Sequence, residues 1–70
     1  MEQPSRETEG IVEETLPKGL FLVRLDDGSR VRAGLTMEAK RFTVSLIPGQ
    51  RVRVRVSPHD PKRGRITAKI

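Results

Sequence analysis

Arg51-Val52-Arg53-Val54-Arg55-Val56 alternates a cation with an aliphatic side chain at every position. Successive side chains of a strand point to opposite faces, so Val52, Val54 and Val56 share one face and Arg51, Arg53 and Arg55 the other. A helix would scatter both sets around its axis. The segment therefore reads as a half-buried strand, and other strands must cover its valine face.

Those strands lie on both sides of it. Ile47-Pro48-Gly49-Gln50 is a turn, and Ser57 to Gly64 a loop rich in turn formers. Arg65 to Ile70 follows as a last strand with Ile66 and Ala68 inward. Upstream, Leu20 to Leu25 places Phe21, Val23 and Leu25 on one face, and Arg30 to Leu35 does the same with Val31, Ala33 and Leu35. Between them Asp26-Asp27-Gly28-Ser29 supplies the Asp-Gly step that tight hairpins favour. Glu9 to Thr15 is a first strand, broken by Leu16-Pro17-Lys18-Gly19. Thr36 can cap a short helix through Phe42, since Met37, Glu38, Ala39, Lys40 and Arg41 are helix formers. Residues 1–6 are polar, contain Pro4 and read as a flexible tail, leaving 7–70 as a single domain.

Three strands, a short helix or loop and two more strands define an all-β chain with small aliphatic residues inward. That order fits a five-stranded oligonucleotide-binding (OB-fold) barrel, with an open SH3-like barrel as the competing architecture. Seventy residues without cysteine leave neither a disulfide nor a thiolate zinc site to support a thin core. A marginally stable monomer is expected.

Charge points to the partner. Residues 1–36 hold five basic against seven acidic groups, net −2, whereas residues 37–70 hold nine against two, net +7. A small domain with such a basic half meets a polyanion, most often nucleic acid. A membrane surface would call for a basic amphipathic helix, and a span for roughly 18 apolar residues; the sequence contains neither. No signal-peptide core is present, so a cytoplasmic location is expected.

Catalysis finds little support. Glu13-Glu14 and Asp26-Asp27 are neighbours, and neighbours on a strand diverge. The one histidine, His59, sits in a loop between Pro58 and Asp60, with no nucleophile elbow nearby. No metal or phosphate-loop motif occurs, so neither enzyme activity nor a cofactor is expected. The basic groups are the functional candidates: Arg51, Arg53 and Arg55 in their row, Lys40 and Arg41 in the helix or loop, and Lys62-Arg63-Gly64-Arg65 near the end. Phe42 is the one candidate base-stacking aromatic, because Phe21 alternates with core residues. With so few aromatics, a surface reading folded RNA by phosphate, 2′-hydroxyl and shape is favoured over a single-strand stacking platform.

Gly10-x-Val12-x-Glu14-x-Leu16-Pro17, Phe21-x-Val23-x-Leu25-x-x-Gly28, Gly49-x-x-Val52-x-Val54, Ser57-Pro58-His59-Asp60 and Gly64-Arg65-Ile66 together resemble bacterial translation initiation factor one, an S1-like OB-fold family. The resemblance runs without a gap from about Gly10 to Lys69. It implies binding to small-subunit RNA and neighbouring ribosomal proteins at the decoding A site. There the factor blocks premature tRNA entry and cooperates with initiation factors two and three. It further implies that the turn holding Lys18 and Gly19 enters the minor groove of the decoding helix. Lys40, Arg41, Arg63, Arg65 and Lys69 would face RNA, with Phe42, Arg51, Arg53 and Arg55 as additional candidates.

The departures from the family pattern centre on the middle of the chain. Thr36-Met37-Glu38-Ala39-Lys40 stands where the family usually reads Ser-Gly-Lys-Met-Arg, so a lysine has become Glu38. Ser29, Ser45, Gln50 and His59 also depart from common residues. The altered central loop, together with the arginine row Arg51, Arg53 and Arg55, motivates an alternative reading, a general RNA-binding or RNA-chaperone OB-fold domain without a ribosomal site.

Overall fold

The computed structural model describes residues 6–42 and 46–70, with backbone only at Arg6 and Phe42. The expected tail lies outside the described residues apart from Arg6, as do Ser45 and the Phe42 side chain. Five strands are present: β1 (Arg6–Leu16), β2 (Leu20–Leu25), β3 (Arg30–Leu35), β4 (Arg51–Val56) and β5 (Arg63–Lys69), with α1 (Met37–Phe42) between β3 and β4. They close into a barrel in the order β1-β2-β3-β5-β4, and β4 returns to pair with β1. All neighbours are antiparallel except β3 and β5. This closed five-stranded barrel with one short helix is the OB-fold, and closure excludes the open SH3-like alternative.

Strand β1 serves two neighbours. Arg6 to Ile11 pair with β4, and Gly10 to Leu16 with β2. Gly10 occupies the overlap, opposite both Leu25 and Val52. A Cβ there would stand 2.5 Å from the Arg24 carbonyl oxygen and 2.9 Å from Val23 Cγ1. The backbone contact cannot be relieved by turning a side chain, so the barrel wall requires glycine at this point. Gly10→Ala should cost about 1–3 kcal/mol through overpacking, lowering the melting temperature by roughly 5–15 °C in a thermal denaturation series.

The interior is filled by Val12, Val23, Leu25, Val31, Ala33, Leu46, Val52, Val54, Val56 and Ile66, with Phe21 and Leu35 half-buried against them. Helix α1 packs on β3 and β5. The Thr36 Oγ1 accepts the Ala39 amide at 3.1 Å, which caps the helix and seats Ala39 against the barrel, 2% exposed.

Two bulges alter the expected alternation. Register shifts between Val12 and Glu14, so Glu13 is inserted in β1 and does not simply oppose Glu14 across the strand. Between Arg53 and Val54 the partner strand carries the extra residue Thr67. Ala68 then stands opposite Arg53 instead of following Ile66 inward; it is half-buried and lies outside the core cluster.

Candidate nucleic-acid interface

The register aligns outward side chains in rows across the barrel. Leu16, Leu20, Gly34, Arg65, Arg55 and Glu7 stand opposite one another from β1 around to β4 and back to β1. Beside them run Leu22, Arg32 and Arg63. Two pairs of cations in these rows thus face each other directly, Arg55 with Arg65 and Arg32 with Arg63, as Arg24 and Arg30 do at the hairpin end, where Glu13 reaches both. Like charges opposed across strands are destabilising, and among the described residues no carboxylate bridges either pair in these rows.

Carboxylates are distributed unevenly around them. At the hairpin end of β2 and β3 the pairing is close. Arg51 bonds Glu9 at 3.0 Å and Asp26 at 2.9 Å, and Arg30 bonds Glu13 at 2.7 Å with Arg24 at 3.8 Å. The hydrogen bond from Arg30 holds the Glu13 carboxyl below its ordinary value of 4.5; partial desolvation opposes the shift, and the charges of Arg30 and Arg24 add to it. A carboxyl lowered in the folded state stabilises the fold above its unfolded value and loses that contribution as pH falls through the folded one. At the opposite end the pairing is sparse. Arg55 meets Glu7 at 3.3 Å and Arg63 meets Asp60 at 3.5 Å. Among the described residues the Arg32 and Arg65 side chains have no partner. The acidic groups of the N-terminal half thus quench cations mainly at one end of the barrel and leave the other end basic.

Loops frame this basic end. The Pro17–Gly19 turn holds Lys18 at φ 64°, ψ 30°, a left-handed conformation uncommon for lysine, and the Leu20 amide closes the turn on the Pro17 carbonyl. On the far side the Ser57 hydroxyl accepts the His59 and Asp60 amides at 3.2 and 3.3 Å, and Asp60 Oδ1 accepts the Lys62 amide at 3.0 Å. Asp60 is therefore a turn residue, and His59 is exposed. Two adjoining hollows lie between these loops. One gathers Arg32, Arg55, Arg63 and Arg65. The other gathers Lys18, Gly19, Phe21 and Lys40. Leu20, Gly64 and Arg65 border both. No group of three or more His, Cys, Asp or Glu among the described residues is placed to hold a metal ion. No helix is long and apolar enough to cross a membrane among those residues.

No protein-family model matches the chain. Among solved structures, it is similar to translation initiation factor one from the Wolbachia endosymbiont strain TRS of Brugia malayi, with 31% identity over 97% of this chain and 80% of that one, and a TM-score of 0.76. The chain belongs to the translation initiation factor one family. YjeQ from Thermotoga maritima also superposes, with a TM-score of 0.72 and 20% identity over 93% of this chain but only 23% of that one. That second likeness speaks for the fold alone.

Of the positions expected to contact RNA in this initiation-factor-one barrel, Lys18, Gly19, Lys40, Arg63, Arg65 and Arg55 border the paired hollows. Arg41 and Lys69 are exposed but border neither. The three arginines of the β4 row differ in their surroundings. Arg51 is engaged by Glu9 and Asp26, Arg55 turns to Glu7, and Arg53 stands exposed outside the hollows. In the altered central segment Met37 and Glu38 are exposed while Ala39 is buried, so Ala39 is packing and the other two are surface. Sequence reading missed Arg32. The alternation Arg30-Val31-Arg32 is the same signal as in β4 and places it outward, but its convergence with Arg63 depends on the parallel pairing of β3 with β5.

Proposed function

We propose that this member of the initiation factor one family binds the small ribosomal subunit at the decoding A site through the basic end of its barrel, blocks premature tRNA entry there and cooperates with initiation factors two and three. The observation that carries this reading is the continuous basic face, with Lys18 and Lys40 at one side and Arg65 at its centre, sparsely compensated by carboxylates. Phosphate-dominated binding needs such a face. Its partners are small-subunit RNA and the ribosomal proteins beside it. The role is one of occupancy, with no chemical step, and the protein acts as a cytoplasmic monomer. Co-sedimentation of the purified protein with small subunits, complete ribosomes and an unrelated single-stranded RNA tests the proposal. Stoichiometric binding to small subunits that is lost on complete ribosomes is expected. Equal binding to any single-stranded RNA would replace this reading with that of a general RNA-binding domain.

Glu38 gives a local test. It is exposed in the first turn of α1, two residues before Lys40. If α1 lies against RNA, Glu38→Lys exchanges repulsion for attraction, and affinity for small subunits should rise several-fold at low salt while the gain fades as salt screens it. An unchanged affinity at low salt would take α1 off the interface.

A further inference from the structure

The hollow between β3, β5 and β4 has a composition that fold stability does not explain. Four guanidinium groups from three strands border it, Arg32, Arg63, Arg65 and Arg55. Two of them oppose the other two in register. Among the described residues only Glu7 and Asp60 reach them, at 3.3 and 3.5 Å, whereas at the hairpin end Arg30 and Arg51 hold carboxylates at 2.7 to 3.0 Å and Arg24 lies 3.8 Å from Glu13. The cations without partners, Arg32 and Arg65, are diagonal neighbours on adjacent parallel strands, two residues of rise and one strand spacing apart, which sets their Cα atoms roughly 8 Å from each other. That separation suits two linked phosphates better than one isolated anion. The remaining walls fit the rest of a nucleotide strand. Leu20, 36% exposed, offers an apolar shoulder for a ribose. The Ser57 hydroxyl, whose oxygen already accepts two amides, keeps its proton to donate.

We propose that this hollow is a site for two successive phosphates of one RNA strand, with Arg32 and Arg65 as the primary ligands and Arg55 and Arg63 drawn in as they leave their exposed carboxylates. Guanidinium suits the task because its planar fork binds phosphate oxygens in pairs. The proposal deepens the RNA-binding reading above by naming Arg32 as a contact and a phosphate run as its ligand, and it rests on that reading. The site adjoins the Lys18–Lys40 hollow and shares Leu20, Gly64 and Arg65 with it, so a strand held here would extend the footprint beyond the β1–β2 turn and α1.

The test uses the full chain and a fluorescently labelled hexauridylate, with anisotropy read across a salt series. Arg32→Gln should weaken binding about tenfold and shallow the dependence of log affinity on log salt by about one. Arg53→Gln removes the same charge from an exposed arginine outside the hollow, and should change affinity less than about twofold if convergence matters more than net charge. Arg32→Lys should fall between wild type and Arg32→Gln, since it keeps the charge and loses the fork. Unlabelled tripolyphosphate supplies the competing source of linked phosphates. Displacement only at concentrations well above those of unlabelled hexauridylate is expected, and tighter binding of tripolyphosphate would overturn assignment to an RNA strand. Equal losses from Arg32→Gln and Arg53→Gln, or no salt-dependent binding by the unaltered protein, would overturn the site. Failure of the ribosomal reading looks different: hexauridylate bound through Arg32 by a protein that does not co-sediment with small subunits.

Discussion

Val54→Asp is expected to leave the chain unfolded at neutral pH. Val54 is fully buried, opposite Thr8 on β1 and Ile66 on β5. Its neighbours inside the barrel are aliphatic, and the arginines on either side of it in β4 point outward. An aspartate there would have to ionise without a partner or bury a neutral carboxyl without hydrogen bonds, at a cost of several kcal/mol. A domain below about 70–80 residues with no disulfide or metal rarely holds more than about 3–5 kcal/mol of stability. One substitution therefore consumes the margin. Far-UV circular dichroism and thermal melting read the outcome directly, and a native β spectrum with an unchanged transition would mean that the inward face of β4 is misassigned.

The second large effect concerns binding. Removing Arg63 and Arg65 together by alanine substitution should weaken small-subunit affinity on the order of a hundredfold at low salt, taking roughly tenfold for each charge-assisted contact. The salt slope should shallow by about two. Both residues are exposed on the outward side of β5, and among the described residues the one carboxylate that reaches either is Asp60, 3.5 Å from Arg63. Arg51→Ala provides the contrast. Its guanidinium links Glu9 on β1 to Asp26 in the hairpin, so its loss should appear as a small drop in melting temperature with affinity little changed. A larger binding defect from Arg51→Ala than from the double variant would move the RNA surface to the opposite end of the barrel.

How much of this was legible in the sequence depends on whether the determinant is local. Strands β2, β3 and β4 have the bounds that alternation alone assigns, because the Asp26–Ser29 and Ile47–Gln50 turns stop them with their own residues. The first residues of β1 and of β5 carry no such mark. Arg6, Glu7 and Thr8 are polar and become strand because β4 offers them an edge, and Arg63 and Gly64 because β3 does. The bulges at Glu13 and Thr67 were likewise invisible, since each is a mismatch between two strands and not a property of either. Charge behaved in the same way. Counting along the chain separates an acidic half from a basic half, but folding lays Glu9, Glu13 and Asp26 over Arg51, Arg24 and Arg30. What remains unpaired is decided by register, which is why Arg32 escaped notice and the conspicuous row of β4 divided.

The proposed placement of the barrel's basic end against the decoding region of small-subunit RNA is open to direct measurement. Chemical footprinting of that RNA, with the protein added to purified subunits at low and moderate salt, tests it. Protections confined to the decoding helix and its surroundings are predicted, weakened by added salt and by the Arg63→Ala, Arg65→Ala pair. Protections absent from that region, or spread without preference over exposed single strands, would contradict the placement.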